Sequence, residues 1–309
     1  MKFLFAIVQE IIAPILVLLF VGGVLQRIFQ FDLRSFSHLL TYALLPAAVF
    51  ISLYETVIDG PLIVQLILYL VVFNLALIAI SEIGARALKL ERDTGATFKN
   101  SVVLMNSGNY GVPVSQMIFA TQPIGVSIQI IVTIAQNIVT YTYGLYNLIS
   151  TSKSGLDILR ELFRLPIIHA LWIGSLLNYL QWQLPIFIEL PIRQMADGFL
   201  PLALLLLGAQ LAQIEFKAMF QGVIYWSSFL RLIISPAIAF LLILLFKLDG
   251  VVAKSLFIGS SFPTSRNSST LAFEYDVNPD LAAQIVLFST ILSAITVTVV
   301  IYIAELMWG

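Results

Sequence analysis

Apolar runs of about twenty residues recur along this whole 309-residue chain, and they leave few folds open. A helix needs roughly 20 apolar residues to cross a hydrocarbon core about 30 Å thick, and it satisfies its backbone groups internally while doing so. With 60% hydrophobic and 11% charged residues, the composition suits a polytopic membrane protein. The sequence predicts ten spans, at about 4–25, 37–54, 62–84, 97–121, 124–149, 163–181, 187–212, 221–246, 251–275 and 279–305. The expected fold is therefore an all-α bundle of ten transmembrane helices.

Several function classes fall away on composition. A net charge of −1 carries no nucleic-acid footprint, and the absence of cysteine removes disulfides, thiol catalysis and Cys-ligated metals. His38 and His169 lack metal-ligand spacing, and no H-E-x-x-H, G-x-S-x-G or Gly-rich phosphate loop occurs. The reading is of a non-enzyme without cofactor or metal. Lys2 is followed by an apolar run holding Glu10 and Pro14, which reads as a retained first helix rather than a cleaved signal.

Two spans carry stretches unsuited to plain helix. The fourth holds N-S-G-N-Y-G-V-P at Asn106–Pro113, with Gly108 and Gly111 in it; the ninth holds S-S-F-P-T-S-R-N-S-S at Ser260–Ser269. Glycine loses the most backbone entropy in a helix, and proline removes a donor and clashes with the preceding turn. Irregular backbone survives at membrane depth only where protein or a water-filled cavity covers it. Asn106–Asn109 lie 9–12 residues beyond the entry at Thr97, or roughly 14–18 Å, near mid-membrane. Pro263 reaches a similar depth from the opposite side. The two breaks are expected to cross there, with Gly111 and Pro113 helping to interrupt the fourth helix.

The basic residues set an orientation. Odd-numbered loops hold Arg27, Arg34, Arg86, Lys89, Arg92, Lys99, Lys153, Arg160, Arg164 and Lys217, against Arg193, Lys247 and Lys254 in the even ones. The positive-inside rule places the odd loops in the cytoplasm and both termini outside. The halves also echo each other. Pro14 and Gly22 match Pro166 and Gly174; Leu45-Pro46 matches Leu200-Pro201; Gln122-Pro123 matches Asn278-Pro279; Ser107 and Asn109 match Ser265 and Asn267. The offsets are 152, 155, 156 and 158. Repeating a unit of five spans inverts it, so the chain reads as a first inverted repeat at 1–150, a cytoplasmic linker at 151–162 and a second repeat at 163–309. Paired broken helices in inverted repeats are a transporter signature, with the site at the midplane.

Each broken helix is expected to turn a half-helix N-terminus to the crossing, where free N–H groups and the positive dipole end favour a carboxylate. Asn106, Asn109 and Asn267 add amides, and Ser107, Thr264 and Ser265 add hydroxyls. Arg266 is a charge at membrane depth, read as counter-ion to an anionic substrate against an internal ion pair with Glu82 or Glu274. Arg231 reads as structural. Gln136 and Asn137 are candidates for lining the cavity, although neighbours on a helix cannot both face it. Glu82 reads as a solvated end charge or a proton-coupling group. Gly22, Gly23, Gly174 and Gly208 read as sites of close helix packing.

Beyond these local readings, N-S-G-N-Y-G-V-P, A-Q-N-I-V-T-Y-T-Y-G at Ala135–Gly144, S-F-P-T at Ser261–Thr264 and F-S-T-I-L-S at Phe288–Ser293 resemble the auxin efflux carrier family. That family includes bacterial organic-acid carriers and the plant PIN-type auxin carriers. The resemblance runs along essentially the whole chain. It implies scaffold helices one, two, six and seven, which dimerise, and a transport domain of helices three to five and eight to ten that moves as an elevator. It also implies that Asn106 contacts the substrate carboxylate and that Pro263 is the ninth-helix crossover proline. The plant pattern has proline where this chain has Met105, so Gly108 and Gly111 are expected to supply the break. Arg266 replaces an uncharged residue of the plant pattern, which favours a smaller or more acidic substrate than auxin. The function expected is secondary export of small organic anions, without a coupling ion. The alternative is a proton- or sodium-coupled organic-acid symporter on the crossed-helix plan of the bile-acid symporters.

Overall fold

A computed structural model describes residues 13–55, 60–148, 166–213 and 221–309. The expected linker at 151–162, and Lys2, Glu10, Lys153, Arg160, Arg164 and Lys217, lie outside the described residues. The described chain is helical: α1 Ala13–Phe29, α2 Leu33–Glu55, α3 Gly60–Ala87, α4 Arg92–Val103, α5 Val112–Ile118, α6 Pro123–Leu148, α7 Pro166–Tyr179, α8 Ile186–Leu211, α9 Gly222–Leu245, α10 Gly250–Ser260, α11 Arg266–Glu274 and α12 Pro279–Trp308. Six of these, α2, α3, α6, α8, α9 and α12, are long and apolar enough to cross a membrane. The predicted fourth and ninth spans each appear as two shorter helices flanking a break, α4 with α5 and α10 with α11.

The chain divides into two compact units. The first comprises Met1–Asp59, Gly108–Ile134 and Leu159–Gln213; the second comprises Gly60–Ser107, Ala135–Ile158 and Ile214–Gly309. The division falls inside α6 and inside the Asn106–Pro113 stretch.

In the first unit α1 packs along α8, and α2 packs along α7 and α8. Glycine makes the first of these approaches possible. A Cβ on Gly22 would lie 2.0 Å from the Leu205 carbonyl oxygen, and one on Gly208 would lie 1.9 Å from that of Leu19. Each glycine thus meets the carbonyl three residues before the other. Gly174 faces the Phe50 carbonyl oxygen at 2.9 Å in the same sense. Small residues let helix backbones approach where lipid offers no hydrophobic driving force between helices. Val49, Phe50, Phe199 and Ala203 lie at the centre of this unit's apolar core. The Tyr54 hydroxyl donates to the Trp182 carbonyl and accepts from Leu184 N–H, which ties α2 to the α7–α8 turn.

In the second unit α4 packs against α3 and α9, and α12 packs against α9, α10 and α11. Polar contacts recur along its helices. Asn147 donates to Asn100, which donates to the Gly144 carbonyl, both at 2.8 Å. Lys254 pairs with Glu305 at 2.5 Å. Glu82 meets Arg86 at 2.8 Å and Lys99 at 3.2 Å, which fits the end-charge reading.

Candidate functional site

The two breaks on the second unit meet as two short extended segments, Leu104–Asn106 and Pro263–Ser265. Met105 and Thr264 pair as an antiparallel bridge. Asn106 N–H donates to the Pro263 carbonyl at 2.8 Å, and Ser265 N–H donates to the Leu104 carbonyl at 2.7 Å. At Leu104 the backbone turns from helix to extended, with φ −84° and ψ 109°. A broken helix at membrane depth must find partners for its freed backbone groups, and here each break supplies partners for the other.

Side chains from four further helices complete the closure. Gln136 on α6 accepts from Met105 N–H at 3.1 Å through Oε1 and donates to Asn74 Oδ1 at 2.8 Å through Nε2. The amide orientation follows from these two partners. Asn74 on α3 donates in turn to the Leu70 carbonyl. Ser289 on α12 accepts from Thr264 N–H at 3.2 Å. The Thr264 hydroxyl donates to the Ser101 carbonyl at 2.8 Å. Asn106, Ser107, Gln136, Thr264 and Ser265 are buried, while Asn137, Arg266 and Asn267 are half-buried. Gln136 and its neighbour Asn137 thus differ in exposure, as adjacent helix positions must.

Arg231 on α9 is fully buried, at 0% exposure. It sits in a wide turn at Leu230–Ile234, just before Ser235-Pro236, where Ser235 N–H bonds five residues back to Leu230. Such π-type bulges re-aim side chains and recur at functional sites. Nη1 donates to the Val102 carbonyl at 3.0 Å, and Nη2 donates to the Ser260 carbonyl and the Ser235 hydroxyl, each at 2.5 Å. One guanidinium therefore spans the C-terminal ends of α4 and α10.

The N-terminal ends of the second halves are arranged differently. Ser265 caps α11, its hydroxyl accepting from Asn267 N–H at 3.2 Å. Arg266 is the first residue of that helix. Pro263 and Thr264 are buried in the bridge itself. Gly108, Asn109, Gly111 and Pro113 belong to the first unit. The break in the fourth span comes earlier than the glycines suggest. Gly111 takes helical angles, φ −69° and ψ −45°, in the wide helical turn Ser107–Gly111 that leads directly into α5, and Pro113 follows just after that turn.

Asn74, Ser289 and the double reach of Arg231 are not singled out by the sequence reading. An amide in the middle of the apolar α3 run was a signal for the first. Ser289 lies within the F-S-T-I-L-S stretch at Phe288–Ser293.

The comparisons with known proteins agree with a transport role. The chain matches the family described as "Membrane transport protein" over residues 7–159 and 150–301. This chain belongs to that family, the auxin efflux carriers. It is similar to an uncharacterized transporter of Methanocaldococcus jannaschii, 25% identical over 308 residues, covering 94% of this chain and 96% of the relative. It is also similar to an uncharacterized transporter of Methanothermobacter thermautotrophicus, 26% identical over 296 residues, covering 93% of this chain and 95% of the relative. As a family member with several apolar spans, this carrier is a multi-pass membrane protein.

Proposed function

We propose that this carrier exports small organic anions, carboxylates in the first instance, by alternating access across the cell membrane. The observation that carries the reading is the bridge between Met105 and Thr264, which brings Asn106 and Ser265 together on its two sides, with Ser107 next along the chain. Asn106 supplies a neutral amide for the carboxylate, with the Ser107 and Ser265 hydroxyls beside it. Neutral donors bind an anion without holding it as tightly as a cation would. Arg266 and Asn267, at the start of α11, add a cation and a second amide at a helix N-terminus. Outward flow of an anion down the membrane potential is favoured by about 2.3 kcal/mol per charge per 100 mV, so export needs no coupling ion.

In this reading the ten helices form two inverted five-helix repeats with both termini extracytoplasmic. Helices α1, α2, α7 and α8 serve as a scaffold through which two copies dimerise, and α3–α6 with α9–α12 carry the anion as an elevator. Cysteine pairs designed for the inward- and outward-facing positions of Asn106 would test the movement.

Charge-displacement current on a supported membrane tests the reading directly. Indole-3-acetate, malate and malonate are applied in turn, with Asn106→Ala and Arg266→Gln beside the wild type. Saturable current for one carboxylate, lost in both variants, is expected. Current indifferent to Asn106→Ala would remove the site from the crossing. Current that appears only with sodium or a proton gradient would replace uncoupled export by symport.

A further inference from the structure

Three carbonyl groups at the C-terminal end of α4 and three at that of α10 have partners from outside the two helices. In α4, Asn100 accepts from Leu104 N–H, Ser101 from the Thr264 hydroxyl and Val102 from Arg231. In α10, Ile258 accepts from Ser261 N–H, Gly259 from Phe262 N–H and Ser260 from both Arg231 and Ser235. Among the described residues no carboxylate meets Arg231. Its counter-charge is the backbone.

The charges match. A helix C-terminus carries the equivalent of about −0.5 charge, so two of them facing one point present about −1. A single guanidinium supplies the opposite charge, and its planar fork offers separate N–H groups to both ends. A sodium ion in a crossed-helix carrier would use the same chemistry, unwound carbonyls and half-helix C-terminal ends. In this protein Val102 and Ser260 give those carbonyl oxygens to Nη1 and Nη2.

We infer that Arg231 is a tethered cation that joins the two broken helices and takes the place of a bound metal cation at the crossing. The crossing is then complete without sodium, and the charge that holds it cannot dissociate. This role is independent of which anion is carried. Arg231 acts by holding α4 and α10 in register and does not touch the substrate.

The test needs no substrate, so it can fail while the carboxylate reading stands, and the reverse. Melting of the purified protein is followed in N-methylglucamine, sodium and guanidinium chlorides at equal, low ionic strength. Wild type is expected to melt alike in all three. Arg231→Ala is expected to melt well below it and to regain most of the loss with guanidinium, or with sodium, in a saturable way that follows mass action. Rescue by a free cation is a response that a simple packing defect would not give. Arg231→Lys, which keeps the charge but loses the fork, is expected in between. Binding of radioactive sodium to the wild type serves where Arg231→Ala does not fold, and none that saturates is expected. Saturable sodium binding or stabilisation in the wild type, or an Arg231→Ala loss that no cation repairs, would overturn the inference.

Discussion

The two units solve the problem of helix contact inside a membrane in opposite ways. In the first, α1 and α8 approach until Gly22 and Gly208 lie against each other's backbone, and nothing but hydrogen fits. In the second, the helices around the crossing are held by backbone that the breaks set free, its carbonyls accepting from Arg231 and Thr264 and its N–H groups donating to Gln136 and Ser289. The first arrangement is steric and tolerates no added volume. The second is polar and tolerates no lost partner. Unbroken helices satisfy their own backbones, so only their surfaces must fit; broken ones must find donors and acceptors elsewhere.

The contrast can be broken by substitution. Replacing Arg231 by Met, close in volume, strips the Val102 and Ser260 carbonyls of their charged donor. A buried acceptor left without its donor costs about 1–3 kcal/mol, two are affected at once, and the expected result is the largest fall in melting temperature of any single change here. Next comes Gly208→Val, whose Cβ meets a backbone carbonyl that no rotamer change can move. A loss of about 3 kcal/mol, the upper end for overpacking, is expected in detergent unfolding. Gln136→Leu keeps the volume but leaves Met105 N–H and Asn74 Oδ1 without a partner, at about 2 kcal/mol. Thr264→Val removes one hydroxyl donor, at about 1 kcal/mol. If the polar-to-apolar exchanges at Gln136 and Thr264 were neutral while Gly208→Val remained costly, steric fit would govern both units and the contrast would fail. Hydrogen exchange sharpens it further: Gln136→Leu should raise exchange at Met105 and leave α1 and α8 unchanged.

The smallest effect lies outside the membrane. Asp32 caps the start of α2, accepting from the Ser35 hydroxyl and Arg34 N–H, and these bonds hold its carboxyl below the ordinary 3.8. A carboxylate depressed on folding lends stability above its unfolded pKa and loses it as pH falls through the folded value. Asp32→Asn should therefore melt slightly lower than wild type at neutral pH, and the gap should close on acidification below that ordinary value.

Much of the layout is legible in the sequence. The apolar runs mark the six long helices α2, α3, α6, α8, α9 and α12 and the shorter α1 and α10, because hydrocarbon demands apolar segments with few charges. Pro263 and the amides and glycines of Asn106–Pro113 mark the two irregular places. Gly22, Gly174 and Gly208 are read correctly as close-packing sites, since a glycine in an apolar span gains little except proximity. The turn out of α4 is misplaced, because glycine permits a break without requiring one; Leu104, an ordinary helix former, takes the extended angles when Ser265 and Gln136 offer partners around it.

Composition and hydropathy alone determined that this chain is helical and membrane-embedded, and that two of its helical stretches are interrupted, because length and hydropathy are local properties that the bilayer reads directly. Only the tertiary structure decided what closes those interruptions. Arg231 lies 129 residues from Val102 and 29 from Ser260, and no local pattern links them. A charge in a span announces a partner but does not name it, and a backbone carbonyl has no letter in the sequence.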